Sequence, residues 1–139
     1  MKINKLYKLP LVFFASLLML AACGGAEPEP EQPLDERVLA RWGHMIERDF
    51  EAAWAYYSPG FRQTTPVHDF VRDMGGRPLR WRDAELLGID CPDEEMCEVR
   101  LEITFQAVGA PAGMGRMHVP SRISERWVQI DGQWWYSAN

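Results

Sequence analysis

Past residue 8 the chain contains no lysine: Lys2, Lys5 and Lys8 are the only three in 139 residues. Every later cation except histidine is an arginine, set against 20 acidic residues, and without the three lysines the formal charge falls from −5 to −8. A chain so balanced offers no cationic groove for a phosphate backbone and no basic patch interleaved with aromatics, which excludes nucleic acid as an expected partner. Histidine and cysteine are scarce, at three each. His44, His68 and His118 are scattered, with no H-E-x-x-H or comparable spacing, so no metal site is expected. No Gly-rich phosphate loop or other cofactor motif occurs, and no cofactor is expected either. Long apolar runs are also missing. The longest, Leu9 to Ala22, has 14 residues including Pro10 and Ser16, short of the roughly 18 to 20 that span a bilayer.

What is present begins with order at the N-terminus. Three lysines, the apolar run, small residues and then Cys23 follow the charge, hydrophobe and cleavage-site pattern of a secretory signal, placing a signal peptide at 1–22. Leu20-Ala21-Ala22-Cys23 resembles a bacterial lipobox. The resemblance implies cleavage before Cys23, a thioether-linked diacylglycerol on its sulfur and N-acylation of the new terminus. Several acyl chains hold a protein to a bilayer far more firmly than one. Gly24 in place of aspartate resembles the pattern sent to the periplasmic face of the outer membrane. Residues 24–34, GGAEPEPEQPL, alternate proline with glutamate and favour extended polyproline II, a tether of about 30 Å.

Residues 35–139 show neither a repeat nor a second change of composition, as expected of one small domain. A core of that size gains from large rings and a covalent staple. With Cys23 assigned to lipid, Cys91 and Cys97 remain as an even pair in an oxidising compartment, and a disulfide across a hairpin is expected. The alternative, a metal site, has C-x5-C without a histidine pair, a poor zinc pattern.

Between Asp35 and Tyr57 the apolar residues Val38, Leu39, Trp42, Met45, Ile46, Phe50, Ala53, Trp54 and Tyr57 recur at three and four, the signature of a buried helical face. Asp49 is placed to cap a second segment after a bend, and Ser58-Pro59-Gly60 reads as a stop. A further helix is expected with Thr65 as N-cap, Pro66 in its first turn, Val67, Phe70, Val71 and Met74 inward, and Gly75-Gly76 as its end. The period then changes to two. Cys97, Val99, Leu101, Ile103, Phe105 and Ala107 alternate with polar residues as a half-buried strand. Trp81 to Cys91 reads as a less regular strand before it, and a third runs from about Met114 to Ile130 with an interruption near Pro120. Asp131-Gly132 signals a two-residue hairpin leading into a strand from Gln133 to about Ala138. That turn sets Ile130 opposite Gln133, Gln129 opposite Trp134, Val128 opposite Trp135 and Trp127 opposite Tyr136. Trp127, Trp134 and Tyr136 then share one face, and Trp127 and Trp134 are expected to point at the helices.

Helices followed by a meander of about four curved antiparallel strands resemble the nuclear transport factor 2-like superfamily, an α+β cone that includes SnoaL-like and ketosteroid isomerase-like proteins. RDFEAAWAYYSPGFR at 48–62 looks like that family's bend between helices, and ERWVQIDGQWWY at 125–136 like its closing hairpin. The resemblance implies a cone lined by Trp42, Trp54, Tyr57, Trp127, Trp134 and Tyr136, and a second copy of the chain as a partner through the outer sheet face, where an exposed Trp135 would fit. Its enzymes set acids, histidines or tyrosines into an open cone, for which Asp49, Tyr56, Tyr57, His68, Glu125 and Tyr136 are the candidates, with Asp49 or His68 as general base. None matches a known catalytic motif residue by residue, and a cap at the bend is the favoured role for Asp49.

Two charge clusters complete the inventory. DCPDEEMCE at 90–98 reads as a solvated hairpin tip, since it lacks the EF-hand ligand pattern. RPLRWR at 77–82 sets Arg77, Arg80 and Arg82 beside Trp81, where an anion would stack and pair, although arginines paired with surface acids are favoured. The leading expectation is a non-catalytic, membrane-anchored module that binds an envelope protein or a small apolar ligand. The competing one is a cavity enzyme of the isomerase or dehydratase type.

Overall fold

The structure, a computed structural model, describes residues 32–109, 111–112 and 117–138. The signal segment, Cys23 and nearly all of the tether lie outside these residues. Helix α1 (Leu34–Glu47) buries Leu34, Arg37, Val38, Arg41, Trp42 and Met45, one face at the 3.6-residue period with two arginines inside it. Leu39, expected on that face, is 43% exposed because its angle on the helix points it away. The helix closes with Arg48 in the left-handed region (φ 65°). The Arg48 N–H donates to Met45 O and the Asp49 N–H to His44 O, a Schellman closure made without glycine. Asp49 then caps α2 (Phe50–Trp54), its Oδ1 accepting from the Ala52 N–H at 3.1 Å.

The chain does not stop at Ser58-Pro59-Gly60. Ser58 is the N-cap of a short helix α3 (Pro59–Thr64), and Pro59 occupies the first turn, where a missing N–H is harmless. The residue just before α4 (Val67–Gly76) is Pro66 and not Thr65, no side chain caps that helix, and Gly75 and Gly76 fall inside it. Phe70 is its buried residue, and Val71 faces outward.

Strands β1 (Leu79–Asp90), β2 (Met96–Ala107), β3 (His118–Ile130) and β4 (Gln133–Tyr136) form one antiparallel meander in the order β1-β2-β3-β4. Helices followed by a curved four-stranded antiparallel sheet is the α+β class read from the sequence. The irregularity expected of β1 is two register shifts, at Trp81/Asp83 and Leu86/Gly88. Pro120 does not interrupt β3 but pairs with Thr104. Its ring is tolerated because β4 pairs only with residues 127–130, so among the described residues β3 has an open edge at that point. All four expected partners of the final hairpin are found, with Asp131 (φ 52°) and Gly132 (φ 80°) both left-handed, as a type I′ turn requires. The Cys91–Cys97 disulfide joins the end of β1 to the start of β2.

The core lies between α1, α2 and α4 and the concave sheet face, built from Val38, Trp42, Phe50, Phe70, Trp81, Val99, Leu101 and Trp127. Trp81 meets Trp42 and Phe50 edge-on at 6.4 and 6.2 Å. It therefore points inward, while Arg80 and Arg82 are exposed, Arg82 donates to Gln106, and Arg77 pairs with Asp73 at 3.0 Å.

Candidate functional site

At the centre of the concave side Arg41 from α1 meets Glu125 from β3, each 3% exposed. Arg41 Nη1 donates to Glu125 Oε1 at 2.9 Å and Nη2 to the Tyr57 hydroxyl at 3.0 Å. The Trp42 indole N–H donates to the same Oε1 and that of Trp127 to Oε2, both at 3.1 Å. The carboxylate thus accepts from three donors, which is what a buried charge requires to be tolerated. Aromatic rings close the remaining sides of the guanidinium, with Tyr136 at 4.0 Å, Tyr57 at 5.0 Å and Trp42 at 5.1 Å from their centroids.

Local structure explains how such distant residues converge. Arg41 sits on the buried stripe of α1 beside Trp42, and Glu125 and Trp127 are two apart on β3 and so share its inner face. Tyr57 and Tyr136 are brought together by the backbone. The Tyr136 N–H donates to Tyr56 O and the Ser58 N–H to Tyr136 O, both at 2.9 Å, so the link between α2 and α3 forms a parallel bridge with β4.

The electrostatics follow from burial and from the opposed charges. Burial alone would lower the Arg41 pKa, but Glu125, Tyr57 and Tyr136 outweigh it and hold the cation above the usual arginine range. Burial pushes the Tyr136 hydroxyl up to about 12, against the opposing pull of Arg41. Both oxygens of Glu125 are engaged by protein donors. The arrangement ties α1 to β3 across the concave face of the sheet.

The residues singled out from sequence divide accordingly. Trp42, Tyr57, Glu125, Trp127 and Tyr136 come together around Arg41. Trp134 shares the inner face but is half-buried, and with Cys91, Asp93, Glu94, Cys97 and Gln129 it borders a surface cleft of about 500 Å³. Trp54 lies elsewhere, its indole N–H donating to Thr65 O at 2.9 Å. Asp49 is spent on its cap. The His68 side chain is 73% exposed, with Nε2 at 3.3 Å from Asp69 Oδ1. Tyr56 meets the His44 ring at a tilt of 43°, with centroids 5.7 Å apart. Trp135 is half-buried, with two guanidinium groups over its ring. Among the described residues, no three of His, Cys, Asp and Glu gather as a metal site would require. No helix among them is long and apolar enough to cross a membrane. Sequence reasoning passed over Arg37 and Arg41, although the period that marks Leu34, Val38 and Met45 as buried places both arginines on the same face.

No family model matches the sequence, and no curated protein matches it. Solved structures do match. A SEC-C motif containing protein from Rhodopseudomonas palustris aligns with TM-score 0.57 at 15% identity, over 73% of each chain. Another, from Psychrobacter arcticus, aligns with TM-score 0.59 at 12% identity, over 75% of this chain and 58% of that one. The chain thus spans less than two thirds of the Psychrobacter protein. An NTF2-like protein of unknown function from Prochlorococcus marinus aligns with TM-score 0.45 at 14% identity, over 76% of this chain and 89% of its own. For the two SEC-C motif containing proteins, identity this low is a likeness of fold alone.

Proposed function

We propose that the chain is a bacterial envelope lipoprotein, anchored through Cys23 to the periplasmic face of the outer membrane, whose folded domain is a non-catalytic module that binds another envelope protein. The anchor and tether rest on the lipobox and the Pro/Glu segment. The observation that supports a non-catalytic role is the Arg41–Glu125 pair. It occupies, with four rings, the space into which a cavity enzyme would turn its acid and base. The isomerase reading needs Asp49 or His68 beside an apolar volume, and one is a helix cap while the other faces solvent. The same charged pair at the centre of the concave face disfavours a small apolar ligand there and favours a partner on the outer surface.

The test combines fractionation with mass spectrometry in a bacterial host. The full chain is expected in the outer-membrane fraction, carrying the mass of the acyl chains on Cys23, and Cys23→Ser is expected to leave that fraction. Native spectra of the purified protein are expected to lack any apolar small-molecule adduct held inside the sheet, and in-cell crosslinking should capture a discrete protein partner. An apolar, phosphate-free adduct lost on denaturation, or a Cys23→Ser variant still bound to membrane, would sink the reading.

A further inference from the structure

Along one flank, cations and rings alternate in the order Tyr56, Arg37, Trp135, Arg62, Trp54. The Arg37 guanidinium lies 4.9 Å from the centroid of Tyr56 and 5.3 Å from that of Trp135. That of Arg62 lies 4.8 Å from Trp135 and 5.4 Å from Trp54. Trp54 is fixed by its bond to Thr65 O.

The two arginines differ in what their N–H groups meet. Arg37 donates from Nε to Trp134 O at 2.8 Å. The Arg62 side chain makes no hydrogen bond and no ion pair among the described residues. Its Nε is sealed from solvent without an acceptor, while the half-buried side chain keeps its terminal nitrogens at the surface. Arg41, Arg72, Arg77 and Arg122 each pair with an acid. Arg80, Arg100 and Arg126 are exposed, and water solvates them. Arg62 has no acid partner among the described residues and only partial access to water, in a chain with 20 acidic residues. Two indoles hold its guanidinium partly desolvated, the setting in which a forked pair of N–H donors binds an oxyanion most strongly. Arg37 over the same Trp135 ring adds positive potential at that spot.

We infer that Arg62, seated between Trp54 and Trp135, is a receptor for a phosphate group. The choice of phosphate rests on the envelope reading, because a tether of about 30 Å keeps the domain near a layer of lipid headgroups. The oxyanion receptor itself does not depend on it. Phosphate reaches the site either as a headgroup or as the free ion.

The full chain, 15N-labelled in alkyl maltoside micelles that carry no phosphate, is titrated with inorganic phosphate at constant ionic strength. The indole N–H signals of Trp54 and Trp135 serve as the readout. A saturable shift is expected in the wild type, absent in Arg62→Gln and weakened about tenfold in Arg62→Lys, which keeps the charge but loses the planar fork. Arg72→Gln is expected to titrate as the wild type does. Repeating the measurement in phosphatidylglycerol nanodiscs separates the sources. A shift dependent on Arg62 without added phosphate assigns the headgroup, and one that appears only on adding phosphate assigns the free ion. Retained dispersion of the other indole signals certifies that the variants are folded. The inference is overturned if no saturable shift occurs in either medium, or if Arg62→Gln behaves as the wild type. Phosphate binding in micelles by a chain found unlipidated would leave the receptor standing and remove the envelope reading.

Discussion

Arg41 and Glu125, 84 residues apart in sequence, meet at 2.9 Å with both side chains out of water. The pair is costly to break, because removing one partner strands the other charge in the core. Glu125→Gln also turns an amide N–H₂ toward one of the two indole donors that the carboxylate satisfies. The expected loss of stability is about 3–5 kcal/mol, read as a fall in the urea midpoint. Arg41→Met combined with Glu125→Leu is expected to recover only part of that loss, since neither charge then remains buried but the Trp42 and Trp127 indole N–H groups lose their acceptor. A double variant as unstable as the single one would show that the indole hydrogen bonds and packing, and not the stranded charge, carry the loss.

Tyr136 sets an alkaline limit. Its hydroxyl titrates near 10 in the unfolded chain and is pushed up to about 12 in the fold, chiefly by burial. The folded state therefore holds this proton more tightly. Its contribution is complete below pH 10 and is lost as the pH rises through 12, a decline of about 2–3 kcal/mol. Tyr136→Phe is expected to flatten that limb of the stability profile while changing little at neutral pH. Chemical denaturation across the alkaline range checks this, with a wild-type limb retained in the variant as the contrary result.

The Cys91–Cys97 bridge closes a loop with a sequence separation of six. Chain entropy predicts that reduction, or Cys91→Ser with Cys97→Ser, lowers stability by about 2 kcal/mol. Urea midpoints with and without a thiol reductant measure it, and coincident curves would mean that the loop is already ordered in the unfolded chain.

At the β3–β4 turn Gly132 has φ 80°, where a Cβ is strained. Gly132→Ala is expected to cost about 1 kcal/mol. Asp131→Asn, at φ 52°, is expected to be neutral or slightly stabilising, since asparagine suits the left-handed region of a type I′ turn. Equilibrium denaturation of both variants separates backbone strain from loss of a carboxylate.

Much of this architecture is legible in the residues because it is written locally. The Asp131-Gly132 dipeptide sets a register in which Trp127 faces Tyr136, and alternation along β2 identifies its buried face from Cys97 to Ile103. The errors arose where a neighbour outside the local window decided the outcome. Ser58-Pro59-Gly60 begins a helix once Ser58 is also tied to β4, and Pro120 stays within β3 because the strand beside it is too short to reach it.

The sequence by itself determined the order of the strands and of every helix but α3, the hairpin register and the pairing of the last two cysteines, all of which depend on periods and turns a few residues long. It also named Glu125, Tyr57 and Tyr136 without saying what they do. Only the tertiary structure decided that they enclose Arg41, because a charged residue on an apolar stripe has two outcomes, solvent or a buried partner, and the partner comes from a strand 84 positions away. The same reason hides the Trp54–Arg62–Trp135 stack, whose members become neighbours only when β4 lies against the link between α2 and α3.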